Sequence, residues 1–112
     1  MSSQDIITIE DDFMLLRFQN DSEEVYCTQR EVKSGLIQFH FGLKGKAKFL
    51  FNQGSYALDL KEEKSLLLYN PQKELPLNLE IAPNSWVISV SISIQKFHNL
   101  FSSEANYITF LS

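Results

Sequence analysis

Short apolar or alternating runs recur along this chain every eight to twelve residues, and each run ends in turn chemistry. That spacing is what an antiparallel sandwich or barrel requires, because each strand must be short, half-buried and followed by a reversal. The pattern predicts strands near Ile6–Ile9, Met14–Gln19, Glu24–Val32, Leu36–Leu43, Ala47–Phe51, Tyr56–Leu60, Ser65–Tyr69, Leu75–Ile81 and Trp86–Ile92. Between them stand breakers such as Asn20-Asp21-Ser22, Lys33-Ser34-Gly35, Lys44-Gly45, Glu62-Glu63-Lys64 and Asn70-Pro71. With 112 residues there is room for one core, so residues 1–112 are read as one all-β domain. Nine Phe, four Tyr and one Trp supply the bulky flat side chains that suit the inside of such a fold.

The register is clearest in KAKFLFNQGSYALDL, where Gly54 can take the positive-φ turn position. Ala47, Phe49 and Phe51 should share a face with Tyr56, Leu58 and Leu60, leaving Lys46, Lys48 and Asp59 to water. Further on, Trp86, Ile88, Val90, Ile92 and Ile94 alternate with Ser89, Ser91 and Ser93, which reads as an apolar row turned to the core and a serine row turned to solvent. Leu75, Leu77, Leu79 and Ile81 alternate in the same way and should feed the same core. After Ser93 the period changes: Phe97, Leu100 and Phe101 recur at i, i+3 and i+4, one face of a short helix over 93–104 with Ser93 as its N-cap. The closing NYITFLS is apolar and is read as the approach to an internal cut in a longer polypeptide, a C-terminal strand docked on the barrel being the other reading.

The net charge of −4 and the lack of a long Lys/Arg cluster argue against direct nucleic-acid binding by this chain, which would draw on several phosphate-facing cations. Lys44, Lys46 and Lys48 alternate with small or apolar residues, as the outer face of an edge strand would. Cys27 is the one cysteine; it fits a reducing compartment and reads as a buried or half-buried small side chain in a strand. The opening MSSQDII lacks the basic start and apolar stretch of a signal peptide, and no window approaches a membrane span, so a cytoplasmic protein without membrane contact is expected.

Candidates for chemistry are few. His40 and Gln38 share one face of the strand LIQFHFGL, opposite Ile37, Phe39 and Phe41. By pattern that polar face turns to solvent; the functional alternative has both residues lining a barrel interior and touching a ligand. A metal site needs three or four ligands from His, Cys, Asp and Glu. The chain has two His, and His98 sits on the helix turned away from its apolar face, so no metal ligand and no cofactor is assigned. GxSxG, CxxC, HExxH and phosphate-loop patterns are absent. The acidic pairs Asp11-Asp12, Glu23-Glu24 and Glu62-Glu63 fall at turns and are read as solvated, so no catalytic residue is assigned either.

From roughly residue 30 to 102 the sequence resembles the N-terminal domain of AraC-type transcriptional regulators. The likeness rests on the His-containing strand Phe39-His40-Phe41, the turn at Gly45, the hairpin through Asn52-Gln53-Gly54 and the L-x-L-x-E-x-x-S-L-L-L-Y segment from Leu58 to Tyr69. In that segment Glu63 stands one place away from where such domains often carry an acidic-glycine turn. The last sign is ISIQKFHNLF, from Ile92 to Phe101, where an apolar strand passes into a helix. The resemblance implies a cupin-like double-stranded β-helix, or jelly-roll barrel, with a short C-terminal helix. It also implies a sensing and dimerisation role: the barrel binds a small effector or self-associates and so controls an attached helix-turn-helix DNA-binding domain. DNA would then be reached only through that further domain, which this chain does not hold. Enzymatic cupins carry HxH, a Glu a few residues on, and a later His. Here the matching positions are Gln38 and His40, followed by Lys44 and Gly45, and the later strands hold no His. The resemblance therefore implies a metal-free, non-enzymatic barrel, the alternative being a stand-alone small cupin with metal-dependent isomerase or dioxygenase activity.

On this reading an effector would meet inward aromatic and polar residues, for which His40, Tyr56, Tyr69 and Trp86 are the candidates. A homodimer is expected, with Phe97, Leu100 and Phe101 as its candidate interface.

Overall fold

The computed structural model describes residues 2–51 and 54–104. They form β1 (Ser2–Glu10), β2 (Phe13–Asn20), β3 (Tyr26–Arg30), β4 (Leu36–Lys44), β5 (Lys46–Phe51), β6 (Tyr56–Lys61), β7 (Ser65–Leu68), β8 (Leu77–Ile81), β9 (Ser85–Ser93) and α1 (Ile94–Glu104). The strands make two antiparallel sheets, ordered β1-β2-β9-β4-β7 and β3-β8-β5-β6. Chain neighbours such as β2 and β3, or β7 and β8, lie in different sheets, so the polypeptide passes back and forth between the layers. Each predicted strand is present, and so is the helix.

The core lies between the sheets. Leu16 and Phe18 of β2 and Val87 of β9 meet Ala47 and Phe49 of β5, Leu60 of β6 and Leu77, Leu79 and Ile81 of β8, all buried, with Val32 closing one side. Each large apolar side chain removed from water here contributes about 1.5–3 kcal/mol. The β5–β6 hairpin has the expected register, Ala47 opposite Leu60, Phe49 opposite Leu58 and Phe51 opposite Tyr56, and Gly54 takes φ 89° in its turn. Lys46, Lys48 and Asp59 are exposed, as alternation requires.

β9 corrects an expectation. Its serine row points inward at Ser85, Ser89 and Ser91, which are buried, while Trp86, Ile88 and Val90 stand half-buried on the outer side; at the end of the strand Ile92 is buried and Ser93 half-buried, as expected. The parity is fixed by pairing, which sets Ser89 opposite His40 and Ser91 opposite Gln38 on one face, and Val90 opposite Phe39 and Leu15 on the other. Both faces of this strand meet protein, so the rule that apolar residues turn inward no longer decides. On the inner face Ser89 bonds His40 and Ser85 bonds backbone groups of Lys46 and Pro83, and on the outer face the helix covers the neighbouring strand, where Phe97 stacks on Phe39 of β4 with ring centroids 6.0 Å apart.

The helix begins where the sequence predicts. Ser93 Oγ accepts the Lys96 amide at 3.0 Å, the N-cap bond, while the Ser93 hydroxyl donates to Asp12 and the Ser93 amide reaches the Asp12 carbonyl at 3.0 Å. An ion pair between Lys96 and Glu10 ties α1 to the end of β1. Leu100 and Phe101, as side chains, lie outside the described residues, as does the NYITFLS segment. Cys27 is exposed on the outer face of β3 opposite Glu80, not buried or half-buried as its apolar character suggested.

Candidate functional site

β4 carries Gln38 and His40 into the barrel interior, 0% and 1% exposed, so the pattern-based reading of a solvated face is wrong for both. Ser89 of β9 places its Oγ 2.6 Å from His40 Nδ1, and Gln38 Oε1 lies 3.0 Å from His40 Nε2. Gln38 Nε2 donates to the Leu75 carbonyl at 2.8 Å. The Leu75 carbonyl can only accept, so the Gln38 amide must present its nitrogen there and its oxygen to the imidazole. His40 Nε2 is then the donor and Nδ1 the acceptor of the Ser89 hydroxyl. The direction of the whole relay follows: Ser89 gives to His40, His40 to Gln38, Gln38 to the backbone of Leu75.

Burial is the cause of the second property of His40. Its ring packs against Phe49 with centroids 4.4 Å apart, and desolvation pushes its pKa down from 6.5 to about 3. The imidazole is neutral at physiological pH and both ring nitrogens are engaged. Among the described residues no buried side-chain nitrogen or oxygen lacks a hydrogen-bond partner.

A divalent metal of the sort that cupin enzymes hold does not fit this donor set. Around His40 stand an amide, a hydroxyl and a phenyl ring, and the one imidazole lone pair is already accepting from Ser89. Among the described residues no three of His, Cys, Asp and Glu come together as ligands.

The relay ends at the wall of a cleft of about 1040 Å³, lined by Arg30, Glu31, Phe51, Glu74, Leu75 and Pro76 among others. Its origin is in the second sheet. β5 and β8 pair only over Ala47–Ile81, Lys48–Glu80 and Phe49–Leu79; beyond that, Leu50 and Phe51 on one side and Leu75 and Pro76 on the other border the gap. Pro76 has no amide hydrogen with which to extend the ladder. The walls are mixed: Leu50, Phe51, Leu75 and Pro76 are apolar, while Gln29, Arg30, Glu31, Glu74 and Asn78 bring polar and charged groups of both signs to the opening.

Of the four residues expected to face inward, only His40 does. Tyr56 is exposed and sits at the hairpin end against Phe51, with ring centroids 6.2 Å apart. Tyr69 follows β7 and is exposed. Trp86 stands on the outer side of β9, where its Nε1 donates to Asp21 at 2.7 Å and Lys44 Nζ lies 5.5 Å from its ring centroid. Hydrogen bonds from Gln19 and then Trp86 hold the Asp21 carboxyl below its usual value. Phe97 is half-buried on its own barrel, and His98 is exposed. Sequence reasoning missed Ser89 as a partner of His40, although one signal was there. The polar row of β9 is serine without a single charge, whereas an exposed row such as that of β5 carries Lys46 and Lys48.

No protein-family model and no curated protein matches the sequence. Solved structures do match the fold. An RmlC-like cupin protein from Desulfovibrio desulfuricans is 12% identical over 81% of each chain, with a TM-score of 0.58. A conserved protein of unknown function from Streptococcus pyogenes is 13% identical over 83% of this chain and 75% of its own, with a TM-score of 0.61. The cupin domain of an XRE-family transcriptional regulator from Enterobacter cloacae is 8% identical over 81% of this chain and 95% of its own, with a TM-score of 0.58. Two antiparallel sheets, the strand order and these likenesses together give the chain the cupin double-stranded β-helix fold, with one short helix after the barrel.

Proposed function

We propose that this barrel is the sensing and dimerisation domain of a transcriptional regulator, of the AraC type that its sequence resembles, and not an enzyme. A small effector would enter the cleft at Leu75 and Phe51, and its binding or the self-association of the barrel would alter how a helix-turn-helix DNA-binding domain is presented. The observation that carries this reading is the closed relay through His40. An imidazole that is neutral, buried and hydrogen-bonded at both nitrogens is neither a general base in reach of substrate nor a metal ligand. It can act as a sensor of position, because Gln38 fastens it to the carbonyl of a cleft-lining residue.

Two likenesses support a regulatory setting: the XRE-family domain above, and an HTH_3-family transcriptional regulator from Vibrio cholerae, 12% identical over 80% of this chain and 50% of its own, with a TM-score of 0.50. The chain's own net charge of −4 leaves DNA contact to a separate domain. Among the described residues no helix is long and apolar enough to cross a membrane.

Native mass spectrometry of the purified chain tests the proposal. The expected species is a metal-free dimer that retains or takes up a small organic molecule. A monomer with one stoichiometric transition metal overturns it in favour of a metal-dependent cupin enzyme.

A further inference from the structure

Among the described residues β1 is a nine-residue strand at the free edge of its sheet, paired on one side with β2 and exposed at every position. It nevertheless carries Ile6, Ile7 and Ile9, which are 42%, 56% and 52% exposed. Ile6 stands opposite Leu16 of the inner face and Ile7 opposite Leu15 of the outer face, so β1 shows apolar side chains on both sides. Among the described residues, burial is complete on neither side. Edge strands are normally protected by lysine, proline, shortness or a bulge along their length. β1 has no Lys, Arg or Pro, and its one irregularity falls near the end, between Thr8 and Glu10.

Charge does not protect it either. Both carboxylates are matched within their own copy, Asp5 by Arg17 and Glu10 by Lys96. The strand is also self-complementary when turned end for end about Ile7: Ile6 meets Thr8, Asp5 meets Ile9, Gln4 meets Glu10, and no carboxylate faces a carboxylate.

We propose that the free edge of β1 pairs antiparallel with β1 of a second copy about a two-fold axis at Ile7, joining the two five-stranded sheets into one. The backbone groups left open at the edge supply the hydrogen bonds, Ile7 of one copy meets Ile7 of the other across the axis, and Ile6 and Ile9 come within diagonal reach of Ile6 and Ile7 of the second copy. This inference rests on the self-associating half of the proposed function and names a surface different from the helix.

The test is the solution mass of the wild-type chain, of Ile7→Lys, of Ile7→Glu and of an equimolar mixture of the two variants, each checked for fold by circular dichroism. β1 is exposed throughout, so these substitutions do not reach the core. The wild type should be a dimer, each variant should fall to half that mass, and the mixture should return to the dimer as opposite charges meet across the axis. Hydrogen exchange on the wild type gives a second readout that needs no variant: β1 amides should be protected in the dimer and lose protection on dilution. Variants that stay dimeric, or β1 amides unprotected in a dimer, overturn the β1 surface and leave self-association standing. Monomeric variants whose mixture stays monomeric overturn the two-fold at Ile7. A wild type that is monomeric at its highest attainable concentration overturns this inference and the self-association of the proposed function together.

Discussion

Ser89 Oγ lies 2.6 Å from Nδ1 of His40, and with Gln38 on the other ring nitrogen this contact fixes a buried imidazole in one tautomer. Ser89→Ala removes the donor and leaves a buried acceptor without a partner. The expected loss in denaturant unfolding is about 1–3 kcal/mol, the cost of an unmade buried hydrogen bond. Leu75 stands at the far end of the relay, so the same variant should also weaken any effector that binds in the cleft.

Acid should destabilise the protein through His40 in a defined window. Burial holds its folded pKa at about 3 against an ordinary value of 6.5. The unfolded chain therefore takes the proton first, and the contribution of neutral His40 is complete above 6.5 and is lost as the pH falls toward 3. From about pH 7 to about pH 5 the wild type should lose about 2 kcal/mol more than His40→Gln, measured by chemical denaturation of both. Equal slopes for the two proteins would remove His40 as the cause.

Two glycines with positive φ should respond unequally to alanine. A Cβ on Gly54 (φ +89°) meets nothing within 4 Å, whereas one on Gly45 (φ +69°) would stand 2.1 Å from Ser85 Oγ and 3.0 Å from the Asn84 carbonyl. Gly54→Ala should cost about 1 kcal/mol, the conformational penalty alone. Gly45→Ala adds a collision with a buried serine that also accepts the Lys46 amide, and should cost about 3 kcal/mol. Thermal unfolding of the pair measures the difference.

Glu63 adopts φ 63°, a left-handed conformation that costs a side-chain-bearing residue energy, at the turn between β6 and β7. Its amide bonds the Gly42 carbonyl at 2.8 Å, and that bond survives a change of side chain. Glu63→Gly should raise stability by up to about 1 kcal/mol, read as an increase in melting temperature.

The strands and the helix were legible because their signals are local. Gly54 marks a hairpin, Ser93 caps a helix three residues before an amide it can reach, and Leu77, Leu79 and Ile81 alternate onto a buried face. The interior of the barrel was not legible in the same way. Whether Gln38 and His40 face in or out depends on β4 lying beside β9, fifty residues further along the chain, and on α1 returning to cover Phe39. Alternation gives two faces without saying which is inside; pairing decides that, and pairing is non-local. Trp86 was misplaced for the same reason, since its large apolar ring suggested the core, while its N–H and its place on the outer row take it to Asp21 at the surface.

Long-range nitrogen–proton NMR of the His40 imidazole reads the closed relay at its centre, because one spectrum reports the tautomer, the charge and any bound metal. The ring should be neutral, protonated at Nε2 and bare at Nδ1, unchanged from about pH 8 to about pH 5 and unmoved by added zinc or ferrous iron. A ring that titrates near its ordinary pKa, or whose nitrogen signals shift on metal addition, would contradict the closed relay and return the barrel to the enzymes of its fold.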